Sequence, residues 1–141
     1  ADALLTNPDQ ASAFVEATHV DCLAVAIGTV HGDYKREPRI RLDLLQQIAA
    51  RADVPLVLHG GSGTPHDILR QSIMLGIAKI NICTDVHKAW LGGVAQAQTT
   101  RTPSVPGRFY EPARAAFIEK VQELILLCNI TAQQVPLKST S

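Results

Sequence analysis

The chain has 141 residues, 46% hydrophobic and 18% charged, which describes a soluble globular protein with apolar side chains for one core. Its 13 basic and 13 acidic residues cancel and only 4% of residues are aromatic, so there is neither a single-sign field nor a stacking platform for nucleic acid. No apolar run approaches the roughly 18 residues a membrane span requires, and ADALLTNPDQ at the amino terminus lacks the basic start and apolar stretch of a signal peptide, so the expectation is a cytoplasmic protein.

Asn7 is placed to cap a helix with Pro8 at its first position and Gln10 three residues after the cap, with Ala11, Phe14, Val15 and Thr18 along one face. After a turn at 19–21, Cys22 to Ile27 form an unbroken apolar run, the pattern of a strand buried on both faces. The segment 28–39, GTVHGDYKREPR, is polar, glycine-punctuated and long for a connection inside a compact unit, a place where function often sits. Leu42, Leu45, Ile48 and Ala49 recur at helical spacing, and Val54 to Leu58 is a second β-type run with Pro55 at its start.

HGGSGT follows at 59–64, and Thr64, Pro65 and Asp67 read as cap, first residue and acidic first turn of a helix that stops at Gly76. Ala78 to Ile82 is the third strand. Thr84 and Asp85 open a helix through His87, Trp90 and Leu91, which Gly92 and Gly93 should weaken by about 1 kcal/mol each. Thr99 to Pro112 reads as a loop. A last helix, about 112–128, carries Ala116, Phe117, Val121, Leu124, Ile125 and Cys128 on one stripe, and the polar tail after Thr131 is expected to fray. Cys22, Cys83 and Cys128 are widely spaced with no CxxC pair, so all three are expected reduced, Cys22 and Cys128 as small apolar residues.

Strands alternating with helices imply α/β architecture with a parallel sheet. Three fully apolar strands would leave their edges and faces without cover, whereas a (β/α)₈ barrel of about 250 residues would supply neighbours. The expectation is therefore that residues 1–141 are an incomplete domain, about the last three βα units of a TIM barrel plus a terminal helix.

Each strand ends in a polar cluster: GTVHG, HGGSG and NICTD. In a parallel barrel all strand carboxyl ends face one rim, so clusters distant in sequence converge. His31 and His59 are the metal candidates, since catalytic zinc takes three protein ligands and keeps one position open; a structural, hydrogen-bonded histidine is the competing reading. His19, His66 and His87, at turns or helix positions, are expected on the surface. Gly60, Gly61, Ser62 and Gly63 run straight into a helix, the arrangement that brings backbone N–H groups and a helix dipole onto phosphate, although a tight turn needing positive φ would use the same glycines. Asn81 and Thr84 flank the neighbouring strand end, and Lys35 adds a positive charge that a solvated loop would equally carry.

AVAIGTVHGDYKREP, VPLVLHGGSGTP and GIAKINICTD resemble, in order and spacing, three signature stretches of the class II ketose-bisphosphate aldolases, most nearly the tagatose- and fructose-bisphosphate branch. TNPDQASAFVEAT and PGRFYEPARAAFIEKVQEL extend the resemblance over nearly the whole chain. It implies a zinc-dependent lyase that reversibly cleaves a ketose 1,6-bisphosphate to dihydroxyacetone phosphate and an aldehyde such as glyceraldehyde 3-phosphate, through a zinc-stabilised enediolate. On the same resemblance, Zn²⁺ is held by His31, His59 and a third histidine. Gly32, Lys35, Gly60, Gly61, Ser62, Asn81, Ile82, Cys83 and Thr84 bind the phosphate and hydroxyketone of the sugar, with Na⁺ or K⁺ nearby. The partners implied are a phosphorylated sugar, the missing N-terminal half and further copies in a homo-oligomer, with no nucleic acid and no membrane.

Two departures from the family pattern stand out. Its Asp-His pair, which supplies the proton-transferring carboxylate and the third zinc ligand, has no counterpart here, so no catalytic residue is assigned and the 141 residues alone are expected to be inactive. Cys83 stands where family members carry Asp, Asn or Ala, which leaves the choice of hexose open. The alternatives are a non-catalytic remnant or assembly partner that keeps the phosphate loop, and a different phosphate-binding barrel whose histidines hold no metal.

Overall fold

The structure, a computed structural model, describes residues 5–30, 32, 39–99 and 106–129. The chain divides into two compact units, Ala1–Cys83 and Thr84–Ser141. The first alternates helix and strand as α1 (Pro8–Thr18), β1 (Leu23–Val25), α2 (Leu42–Ala49), β2 (Leu56–Leu58), α3 (His66–Met74) and β3 (Ile77–Ile80). The second is helical, with α4 (Thr84–Thr99), α5 (Pro106–Phe109) and α6 (Glu111–Cys128).

α1 starts as its sequence dictates: Asn7 Oδ1 accepts the N–H of Asp9 at 2.9 Å and of Gln10 at 3.1 Å, which satisfies two of the helix's orphan donors. It ends at His19, whose φ of 54° places a non-glycine residue in the left-handed region while its N–H still reaches the Val15 carbonyl. The expected apolar face is only partly used, since Ala11 is buried and Phe14 is exposed.

The sheet is parallel in the order β1-β2-β3. Leu23, Ala24 and Val25 pair with Leu56, Val57 and Leu58, and β2 pairs with β3 across a register shift between Leu56 and Val57. Only the central strand is buried along its length. In the β1 region burial alternates instead, with Val25 and Ile27 buried while Cys22, Ala24 and Ala26 are exposed. The run from Cys22 to Ile27 is thus not the doubly buried strand its composition suggests, because an outer strand of a three-stranded sheet has cover on one face only. Cys22 lies exposed ahead of that strand, contrary to its reading as a packed apolar residue, whereas Cys128 is half-buried and desolvation raises its thiol pKa.

Ile27, Leu45, Ile48, Leu56, Leu58 and Leu69 are the large apolar side chains of this unit's core. Each stabilises the fold by roughly 1.5–3 kcal/mol relative to exposure. α2 touches both α1 and α3, and α3 touches β3. α3 begins at His66 with Pro65 in the capping position and no side-chain cap. Thr64, the expected cap, is engaged elsewhere, as described below. The helix stops before Gly76 as anticipated, with φ of 111° there.

In the second unit α4 continues through Gly92 and Gly93 to Thr99. Gly93 is buried because its missing side chain admits α6: a Cβ there would lie 2.3 Å from Ala113 Cα. The expected loop at 99–112 contains the short α5. α6 buries Ala113 and Leu127 rather than the expected stripe, of which Phe117 and Ile125 are exposed. Trp90 stacks with Tyr110 at 6.1 Å and meets Phe117 edge-on at 6.4 Å, so the aromatic residues gather beside this helix pair.

Candidate active site

Register brings the strand ends abreast: Val25 pairs with Leu58, and Leu58 with Ile80. The HGGSG loop leaves β2 and Asn81, Ile82 and Cys83 leave β3 at the same rim, as a parallel barrel requires of its functional loops. The loop after β1 joins them. Its stem is closed by the Arg41 N–H donating to the Ile27 carbonyl at 2.8 Å, and Gly28, at φ 102°, lies so close to Arg39 that a Cβ would be 2.4 Å from its carbonyl oxygen. Beside β2, a Cβ at Gly60 would lie 2.4 Å from the Val30 oxygen. The chain at Val30 is therefore packed directly on the HGG turn. His31 and Lys35 lie outside the described residues; Gly32, at φ 86°, is half-buried with open space where its Cβ would be.

Loop 59–64 is tied down almost entirely by hydrogen bonds. Gly61 N–H donates to the Asn81 carbonyl at 3.0 Å, and Thr64 N–H returns to the Gly61 carbonyl at 3.3 Å. Thr64 Oγ1 donates to the Gly60 carbonyl at 3.1 Å, and Ser62 Oγ accepts the Cys83 N–H at 3.2 Å. Ser62 and Thr64 are only 4% and 3% exposed. Both hydroxyls thus serve the loop's own shape, which explains why Thr64 does not cap α3. Gly60 and Gly63 both sit at φ 71°, and Gly61 is excluded from bearing a side chain by Ile80 and Ile82, at 2.6 and 2.9 Å from a built Cβ. Positive φ and close approach are both needed here, so the tight-turn and phosphate-loop readings of the glycines are compatible. Thr64, Val30 and Gly28 are the site-building residues that sequence reasoning missed or misplaced.

His59 projects exposed from the end of β2, with Asn81 Nδ2 at 3.0 Å from Nε2 and 3.3 Å from Nδ1. Asn81 and Ile82 are half-buried, Cys83 is exposed, and Thr84 is the first residue of α4. Among the described residues no three His, Cys, Asp or Glu side chains gather at metal-binding spacing. An open groove of about 270 Å³ runs between α1 and β1, lined by Leu5, Thr6, Phe14 and Leu23 among others, and includes none of these residues.

The model of the class II fructose-bisphosphate aldolase family matches residues 1–133. The chain belongs to that family. Over 133 residues this aldolase-family chain is 39% identical to the D-tagatose-1,6-bisphosphate aldolase subunit GatY of Klebsiella oxytoca, a match covering 94% of the chain and 47% of that protein, in its C-terminal portion. The chain thus spans about half the length of the curated relative. The crystal structure of the YdjI aldolase from Escherichia coli K12 superposes with a TM-score of 0.75 at 38% identity, over 86% of this chain and 44% of that one. Fructose-bisphosphate aldolase of Campylobacter jejuni gives a TM-score of 0.76 at 20% identity, over 89% and 46%, and shares the fold. Three parallel strands with their helices are therefore part of the aldolase TIM barrel, as the alternation of elements implied. No helix among the described residues is long and apolar enough to cross a membrane.

Zinc suits what is described of the donor set in kind: an exposed imidazole at a strand end offers the nitrogen donor such an ion would take. His59 is such an imidazole, exposed at the end of β2. Its second partner by sequence, His31, lies outside the described residues.

Proposed function

We propose that this chain supplies the phosphate-binding part and two metal ligands of a class II aldolase site, in a protein that reversibly cleaves a ketose 1,6-bisphosphate of tagatose or fructose type to dihydroxyacetone phosphate and an aldehyde such as glyceraldehyde 3-phosphate. The observation that supports it most is the HGGSG loop, whose backbone is held by Asn81, Ser62 and Thr64 at the strand-end rim of an aldolase-family barrel.

In this reading Gly60, Gly61 and Ser62 line the phosphate position while the Asn81 carbonyl holds the Gly61 N–H, and the first turn of α3 faces it, where the positive end of the helix dipole favours an anion. Lys35 adds charge and Gly32 allows close approach. Asn81, Ile82, Cys83 and Thr84 bound the hydroxyketone, and a sodium or potassium ion sits near the phosphate. His31 and His59 would hold Zn²⁺, which when bound acts as a Lewis acid on the substrate carbonyl. Preformed loops matter because holding a substrate in reacting geometry contributes several kcal/mol to catalysis without moving any group.

Cys22 and Cys83, both exposed and in no disulfide, fit a reducing, cytoplasmic setting, and homo-oligomeric assembly completes the proposal. Metal analysis of the full-length protein tests the site: wild type should carry stoichiometric zinc and His59→Ala should lose most of it. Unchanged zinc in the variant would remove His59 from the ligand set.

A further inference from the structure

Asn81 makes three separate ties. Its N–H donates to the Leu58 carbonyl at 2.8 Å and its carbonyl accepts the Gly61 N–H at 3.0 Å, so its main chain staples the end of β3 to the end of β2 and to the glycine loop. Its side-chain Nδ2 is 3.0 Å from His59 Nε2 and 3.3 Å from Nδ1. An atom at nearly equal distance from both ring nitrogens cannot lie in the ring plane, because Cε1 and its hydrogen fill the space between them. The amide nitrogen therefore sits over the face of the imidazole, in polar contact with the ring. Both in-plane nitrogen positions point past the amide rather than into it.

We propose that Asn81 is a positioning residue for His59: through the polar contact of its amide with one ring face it fixes the rotation of the imidazole, and with it the line along which the ring nitrogen presents its lone pair over the rim. The proposal rests on the reading of His59 as a metal ligand, and it adds to the substrate-side role of Asn81 a task that is complete before any sugar binds. Side chains that hold a ligating histidine in orientation commonly govern metal affinity by roughly 10- to 100-fold. Both main-chain ties survive truncation of the side chain, so Asn81→Ala deletes the ring contact and leaves the strand-end staple.

The test is zinc affinity of the full-length protein, measured by competition with a chromophoric chelator in the absence of sugar phosphate, for wild type, Asn81→Ala, His59→Ala and the double variant. Asn81→Ala should weaken zinc binding by about 10-fold or more, and in the His59→Ala background the same change should add nothing. Asn81→Leu, which keeps the side-chain volume but has no N–H, should match Asn81→Ala, and both should retain the wild-type melting transition within a few degrees. Wild-type zinc affinity in the Asn81 variants, or an equal weakening that persists without His59, overturns the proposal. If His59→Ala itself binds zinc as wild type does, the ligand reading falls and the positioning role with it, a pattern distinct from a loss confined to His59→Ala.

Discussion

Gly60 and Gly61 are adjacent but bear different constraints. At Gly60 a side chain meets both a positive φ and the Val30 carbonyl oxygen, which is backbone and cannot swing away; at Gly61 the obstacles are the Ile80 and Ile82 side chains and the Asn81 oxygen at 3.1 Å. Gly61→Ala should therefore fold, at a cost of about 1–3 kcal/mol from overpacking, and shift the loop enough to lower kcat/KM for a ketose bisphosphate by roughly 10- to 100-fold. Steady-state kinetics beside a denaturation curve check this, and wild-type kinetics would place the phosphate elsewhere. At Asp43, hydrogen bonds from Arg41 at 2.8 and 2.6 Å hold the carboxyl down to about 2. A folded-state pKa below the unfolded value means the pair favours folding above pH ~4, an effect lost as pH falls through about 2. Carboxyl-resolved NMR titration should find Asp43 near that value, and Arg41→Ala should return it toward ~3.9; an unmoved midpoint would deny the pair its role. The glycine loop was legible at this scale because its spacing is local. The destinations of Thr64 and Asn81 were not, since both depend on which strand ends lie abreast.

Helix and strand existence followed closely from pattern, because Asn7-Pro8, the apolar runs and Gly76 act over a few residues. Faces were harder. α6 carries apolar residues nearly all round, so no single stripe stands out, and the chosen one was displaced by the close approach at Gly93. The short α5 was invisible amid Thr, Pro and Gly. Gly92 and Gly93 looked equivalent in sequence and are not. Gly92 has nothing within 4 Å of a built Cβ, whereas at Gly93 the nearest atoms belong to the α6 backbone. Gly92→Ala should stabilise by about 0.5–1 kcal/mol through helix propensity, and Gly93→Ala should destabilise by about 1–3 kcal/mol. Chemical denaturation of the two variants side by side gives opposite signs, or else the α4–α6 contact is not as close as described.

Burial at the scale of the whole chain shows why composition alone pointed beyond three strands. β1 exposes every second residue of its apolar run, and α6 leaves Ile125 59% and Leu126 65% exposed. Helices that are apolar all round belong in an interior, and the relatives that match over nearly all of this chain are about twice its length. The fold class was legible because parallel βα alternation admits few architectures, and the strand-end rim followed from it. Of the two candidate metal ligands, His59 is found exposed at the end of β2, and His31 lies outside the described residues. The most direct test of the account is aldol cleavage by the full-length protein, assayed as triose phosphate release from tagatose and fructose 1,6-bisphosphates before and after chelation. Turnover that disappears on chelation and returns with zinc is the predicted result; turnover indifferent to the chelator, or none with either ketose bisphosphate in the zinc-replete protein, would contradict it.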